Sequence, residues 1–234
     1  MTFISDFLNP TILSSLAFLI SVLLIVYFTV RSLKMGNKGL KFFLITAIVL
    51  IVWFFVVFSL GRIGFFAKNP LFAPNIVFGF LILFELLRRV YFSKTVQNIA
   101  DNIPIHWIIG IQTYRIVGVG FLILWAEGLL PAAFAFSAGI GDVFVGITAP
   151  FVALFCYLRK SFSKRLAIAW NIIGIADLII ALSVGFVGFS RPVQFVPLSP
   201  STEAISLFPL VIVPLFAVPL ALLLHFFSLR ALKK

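Results

Sequence analysis

Residues 134–158 read FAFSAGIGDVFVGITAPFVALFCYL, twenty-five positions in which Asp142 is the only charged side chain. A helix rising 1.5 Å per residue needs about 20 mostly apolar residues to cross a hydrocarbon core of roughly 30 Å. This stretch meets that requirement with a carboxylate inside it. Moving outward in both directions, runs of the same kind recur at approximately 11–31, 41–63, 71–90, 104–127, 165–188 and 206–228, so seven spans are expected. The joints carry charges and breakers: Arg31 to Lys41 with Gly36 and Gly39, Lys68 to Pro70, Arg88 to Lys94, Gly128 to Pro131, Arg159 to Arg165, and Arg191 to Pro200.

Composition supports the same class. Of 234 residues 62% are apolar and 11% charged, against roughly 45–50% and about 25% in soluble domains. With a mean hydropathy of +1.21 the chain has too little polar surface to face water as a globule. The net charge of +11 would suggest nucleic acid in a soluble protein. Here the basic residues stand in short clusters between apolar runs, which makes them topology signals, and the expected partner is the lipid bilayer, with no nucleic acid. Fourteen Lys and Arg fall on one side of the seven spans and only Arg62, Lys68 and Arg191 on the other, with Arg115 inside the fourth span. The positive-inside rule then places the N-terminus outside and the C-terminus in the cytoplasm. The expectation is an all-α polytopic bundle, a single integral membrane domain over 1–234, in a plasma or inner membrane.

The first ten residues hold Asp6 and no Lys or Arg, unlike the basic start of a cleavable signal, so the first run is expected to stay as a span. Cys156 is the only cysteine, which excludes an intrachain disulfide and a thiolate metal cage. Segment 91–103 has helical spacing of Tyr91, Phe92, Val96 and Ile99, compatible with an interfacial helix or a plain loop. Segment 189–205, with Pro192, Pro197, Pro200, Phe195 and Leu198, suggests an extended flap over the outer ends of the bundle.

Ionisable groups at bilayer depth cost several kcal/mol unless paired or hydrated. Arg115, Asp142 and Asp177 come out at similar depths on three consecutive antiparallel spans, roughly 12–15 Å below the outer surface by helical rise. On the face of Asp142 lie Ala135, Ala138, Gly146, Ala149 and Ala153, and on that of Asp177 lie Trp170, Gly174, Ala181 and Gly188. Small residues let membrane helices approach closely, so both carboxylates are expected in helix contacts. Gln112, one turn from Arg115, can add hydrogen bonds to the same pocket. Gly139-Ile140-Gly141-Asp142 is echoed by Gly174-Ile175-Ala176-Asp177 on the next, oppositely directed span, the form of a small inverted pair.

One Arg facing two Asp leaves a formal charge of −1, to be met by a proton or a cation. The candidate site is therefore Arg115, Asp142, Asp177 and Gln112, with no metal or other cofactor implied. Its leading reading is proton- or cation-linked movement of a small solute. The rival is a structural or partner-binding membrane subunit whose buried ion pair fixes helix register. Pro209, Pro214 and Pro219 in the last span each free a carbonyl one turn earlier, as in cavity-lining helices, and Pro150 is expected to bend the fifth span. Asn171 is expected to bond a neighbouring helix, Glu85 to pair with Arg88 and Arg89, and Pro74 with Asn75 to shape a helix entry. Glu127 lies at an interface with no role assigned.

Gly139 to Asp142 is similar to the GxGD segment of intramembrane aspartyl proteases, a resemblance of four residues. It implies a pair of carboxylates activating water, with Asp177 as the second. In that family the other catalytic Asp lies upstream, whereas Asp177 lies downstream, and the chain has no Tyr-Asp pair. This is the third reading, and an enzyme is the less favoured class. His106 and His225 sit near the cytoplasmic ends of their spans, where a bis-His haem would need them, without a carboxylate near either in sequence. The last span has no Lys for a retinal Schiff base, and no catalytic triad, phosphate loop or zinc spacing occurs.

Overall fold

The Asn9 side chain accepts a hydrogen bond from the Thr11 backbone N–H, and Pro10 stands at the first helical position. An Asn cap followed by Pro is a strong helix start, and α1 runs from there over Pro10–Ser32. In this computed structural model, which describes residues 9–68, 75–189 and 196–233, every regular element is helical. After α1 come α2 (Gly36–Arg62), α3 (Asn75–Phe92), α4 (Lys94–Ala100) and α5 (Ile105–Gly110). A 3-10 stretch over Ile111–Gly118 leads into α6 (Val119–Ala126), followed by α7 (Ala132–Tyr157) and α8 (Ser163–Val187). A short 3-10 turn at Thr202–Ser206 and a π turn at Val213–Ala217 precede α9 (Val218–Leu232).

Six segments are long and apolar enough to cross a membrane: Pro10–Ser32, Gly36–Arg62, Ile105–Ala126, Ala132–Tyr157, Ser163–Val187 and Val213–Leu232. That is the make-up of a multi-pass membrane protein. The third expected span corresponds to α3, which is 18 residues long and carries Glu85, Arg88 and Arg89 towards its end, so it falls outside those six. Glu85 does pair with both arginines, at 2.7 and 2.9 Å. Asp6, Pro70, Pro74, Arg191, Pro192 and Phe195 lie outside the described residues.

The short joint between Ala126 and Ala132 is built by two local signals. Gly128 has φ +72°, and its N–H donates to the Trp125 carbonyl while Leu129 N–H donates to that of Leu124. This is the paired-bond helix ending that a glycine in the left-handed region permits. Pro131 then sets the extended residue before α7. Segment 91–103 resolves as helix, with α4 burying Ile99 and Ala100. Arg230 on α9 donates to Asp101 at 3.0 Å and ties α4 to the end of the bundle.

The last span differs most from expectation. Instead of a helix over 206–228, the chain turns through 207–212 and becomes regular only at Val213, ending at Leu232. Prolines 209 and 214 deny the early part its backbone donors, and the π turn absorbs the misfit. This segment is also the centre of the molecule. Two-thirds of the residues in its most apolar stretch are buried (67%), against 22–33% in the other five crossing segments. Pro219 cannot donate to the Leu215 carbonyl four residues back, and the Trp53 indole donates there at 2.9 Å. The Trp53 and Phe54 rings both pack on Phe216.

Candidate functional site

Residues 111–118 wind with three residues per turn, so every third side chain stacks on one face. Gln112, Arg115 and Gly118 are the buried residues of that stretch. An α-helix would spread the same three over an arc of about 120°; the tighter winding stacks them in one line facing inward.

Arg115 is 1% exposed in its side chain and meets a partner on each edge. Its Nε donates to Asp142 Oδ1 on α7 at 2.7 Å, and Nη2 donates to Asp177 Oδ2 on α8. These two nitrogens are about 2.3 Å apart, since both are bonded to one planar carbon at ~1.33 Å. They form the edge that ordinarily grips both oxygens of one carboxylate. Here it holds one oxygen from each of two carboxyl groups, which are thereby brought side by side.

On the opposite edge, Nη1 lies 3.4 Å from the Gly174 carbonyl and 3.3 Å from His225 Nε2 on α9. A guanidinium carries only donors, so His225 Nε2 accepts and the ring proton sits on Nδ1. That nitrogen donates to Asn171 Oδ1 at 2.9 Å, leaving Asn171 Nδ2 to donate to the Ala167 carbonyl at 2.7 Å and Ser228 Oγ at 2.9 Å. One network of consistent donors and acceptors thus joins the crossing segment Ile105–Ala126 to α7, α8 and α9.

Glycines make the approach possible. A Cβ added at Gly118 would strike Asp142, one at Gly141 would strike the Asp177 carboxyl group, and one at Gly174 would reach His225 Cε1 at 2.5 Å. At Gly146 it would meet the backbone nitrogen of Ile116 at 2.5 Å. Asp142, Asp177 and His225 each occupy space on a neighbouring helix that a side chain would fill. The glycine repeated three residues before each Asp, Gly139 and Gly174, has a packing use in both copies, since a Cβ at Gly139 would meet the Leu122 side chain at 2.9 Å.

Next to Asp142 is a cavity of about 50 Å³, lined also by Phe121, Phe134, Leu178, Ala181 and Pro214. Asp142 is its one charged lining residue.

Gln112 takes a different place from the one expected. Its Nε2 donates to the Ala221 carbonyl at 3.3 Å on α9, and its Oε1 is buried without a partner among the described residues. Arg115 is three residues on and stacked on the same face, but its hydrogen bonds run to groups on α7, α8 and α9. His225 is the member that sequence reasoning misplaced. With the last helix ending at Leu232 instead of 228, it lies deeper by about 6 Å of helical rise, and it is fully buried. The usable signal was Asn171, expected to bond across helices; its partners are His225 and Ser228. His106 instead packs against Trp107 and Tyr157. No group of three or more His, Cys, Asp or Glu residues positioned to hold a metal ion occurs among the described residues.

Residues 71–233 match a family described as Domain of unknown function (DUF8737). No curated protein and no solved structure matches the chain.

Proposed function

Because the chain belongs to the DUF8737 family through a stretch that takes in the whole Arg115 network, we propose a function from that network: proton- or cation-linked transport of a small solute. The observation that carries it is one guanidinium shared edge-on by Asp142 and Asp177. A single positive charge offsets one carboxylate, and the remaining −1 is matched by a proton or a cation in a setting of low dielectric. Binding such a charge weakens the hold of Arg115 on that carboxylate, and with it one tie between the segment Ile105–Ala126 and α7 or α8. Two departures from α-helix lie in the crossing segments that face the network, the 3-10 stretch before α6 and the π turn before α9. Such departures within a span are where helices hinge. The cavity beside Asp142 supplies room for a solute.

The proposed topology has seven spans, α3 being the third, with the N-terminus outside and the C-terminus in the cytoplasm of a plasma or inner membrane. A reporter fused after Lys234 is expected to read cytoplasmic, and one inserted at Ser201 external. The reverse pattern would overturn the sidedness.

For transport, proteoliposomes screened with radiolabelled amino acids, amines and monovalent cations are expected to show pH-dependent uptake. Asp142→Asn and Asp177→Asn are each expected to leave folded protein in the bilayer and abolish that uptake. The rival reading, a membrane subunit with a static ion pair, draws support from the near-complete burial of the guanidinium. It would be favoured if no tested solute accumulated and both variants differed from wild type only in stability.

A further inference from the structure

The cavity beside the ion network points to a solute class, and we infer that it receives a small primary ammonium ion, such as ethylammonium, on Asp142. This rests on the transport reading above. Three features of the chamber select that chemistry.

The first is charge. Asp142 gives one oxygen, Oδ1, to Arg115, and its Oδ2 has no hydrogen-bond partner among the described residues. Its side chain is 15% exposed, and it borders the cavity. An N–H donor arriving there meets an acceptor that nothing else uses, and its positive charge completes the balance of a guanidinium and two carboxylates. An anion would face the surplus negative charge, and a Ca²⁺ or Mg²⁺ ion would lack the six or more oxygen ligands it takes.

The second is the wall. Phe121 and Phe134, whose ring centroids are 5.4 Å apart, stand with Leu178 and Pro214 around the rest of the chamber. An apolar wall suits a hydrocarbon tail, and aromatic faces are the apolar surfaces that attract cations. A neutral polar solute would lose its water without finding donors and acceptors to replace it.

The third is size. At about 50 Å³ against the 10–15 Å³ that one water needs on a comparable measure, the chamber holds roughly four water-sized positions. That fits an ammonium group with two or three carbons.

Proton and ammonium ion answer the same single negative charge, so each excludes the other, which makes the coupling an exchange of one for the other. The amine enters and leaves as the cation, and no covalent step is involved.

The test is calorimetric titration of the purified full chain in detergent with ethylammonium chloride, propanol and sodium propionate, in buffers of different ionisation enthalpy. Ethylammonium is expected to bind and release up to one proton per site, and the neutral and anionic probes to give no heat of binding. Asp142→Asn, which leaves Arg115 paired with Asp177, and Ala181→Phe, which adds bulk to the chamber wall and changes no charge, are each expected to abolish binding. Ethylammonium binding that survives both changes overturns the assignment, as does equal binding of propanol. Uptake of another solute class that depends on Asp142, without ethylammonium binding, sinks this inference and leaves the transport reading standing. Ethylammonium binding that needs Asp142, with no uptake into proteoliposomes, keeps the site and removes the transport reading.

Discussion

Arg115→Ala is expected to reduce sharply the folded protein recovered from membranes. The change leaves Asp142 and Asp177 facing each other across the space of the lost guanidinium, with His225 and the Gly174 carbonyl also deprived of their donor. Removing one member of a buried ion pair costs about 3–5 kcal/mol, because the remaining charge stays desolvated. That is a large share of a total stability on the order of 5–15 kcal/mol. The repair identifies the cause. Adding Asp142→Asn and Asp177→Asn to Arg115→Ala removes the uncompensated charge, so the triple variant is expected to recover folded protein, read by the monodisperse peak of a fluorescent fusion on size-exclusion chromatography. Recovery of Arg115→Ala at the wild-type level would mean that the carboxylates are neutral or hydrated without Arg115. Failure of the triple variant would shift the cause to lost packing.

Gly141→Ala adds one methyl group and changes no charge, yet it is expected to disable the site. The new Cβ would land on the Asp177 carboxyl group. Asp177 has too short a side chain to move aside while keeping its bond to Arg115, so either α7 and α8 part or the bond is lost. Overpacking of this kind costs about 1–3 kcal/mol. The expected result is uptake as low as in Asp177→Asn, with a lowered melting temperature. Gly120→Ala is the control, since a Cβ there meets nothing within 4 Å, and it is expected to match wild type in both measurements. If Gly141→Ala and Gly120→Ala behave alike, the close seating of Asp177 on α7 is wrong.

These two changes also separate kinds of legibility. Arg115, Asp142 and Asp177 stood out because charges are scarce in apolar runs, and helical rise placed them at one depth. The small faces of α7 and α8 were equally plain: Ala135, Ala138, Gly146 and Ala149 are all buried. What the sequence did not disclose was which glycine faces which carboxylate, since that depends on the rotation of one helix against the next. Gln112 illustrates the limit. Its spacing from Arg115 suggested a shared pocket, but once the chain tightened into a 3-10 stretch its amide reached the Ala221 carbonyl on α9. His225 illustrates another. Prolines 209, 214 and 219 pointed to freed carbonyls within a helix over 206–228, but the helix becomes regular only at Val213 and ends at Leu232, and that shift, set by packing at the centre of the bundle, decides how deep the imidazole lies.

The sequence alone determined that the chain is helical and apolar enough to cross a membrane several times, where the crossing segments begin and end to within a few residues for most of them, and which charges lie inside. These properties are local: they follow from the length of an apolar run, the turn chemistry at its ends and the cost of a charge in hydrocarbon. Only the tertiary structure decided that Arg115 offers one edge to two carboxylates and the other to His225, and that a small cavity opens at Asp142. The partners stand 27, 62 and 110 residues from Arg115 along the chain. Contacts at such separation are chosen by how whole helices rotate and slide to bury small faces, a collective fit that no single stretch of residues encodes.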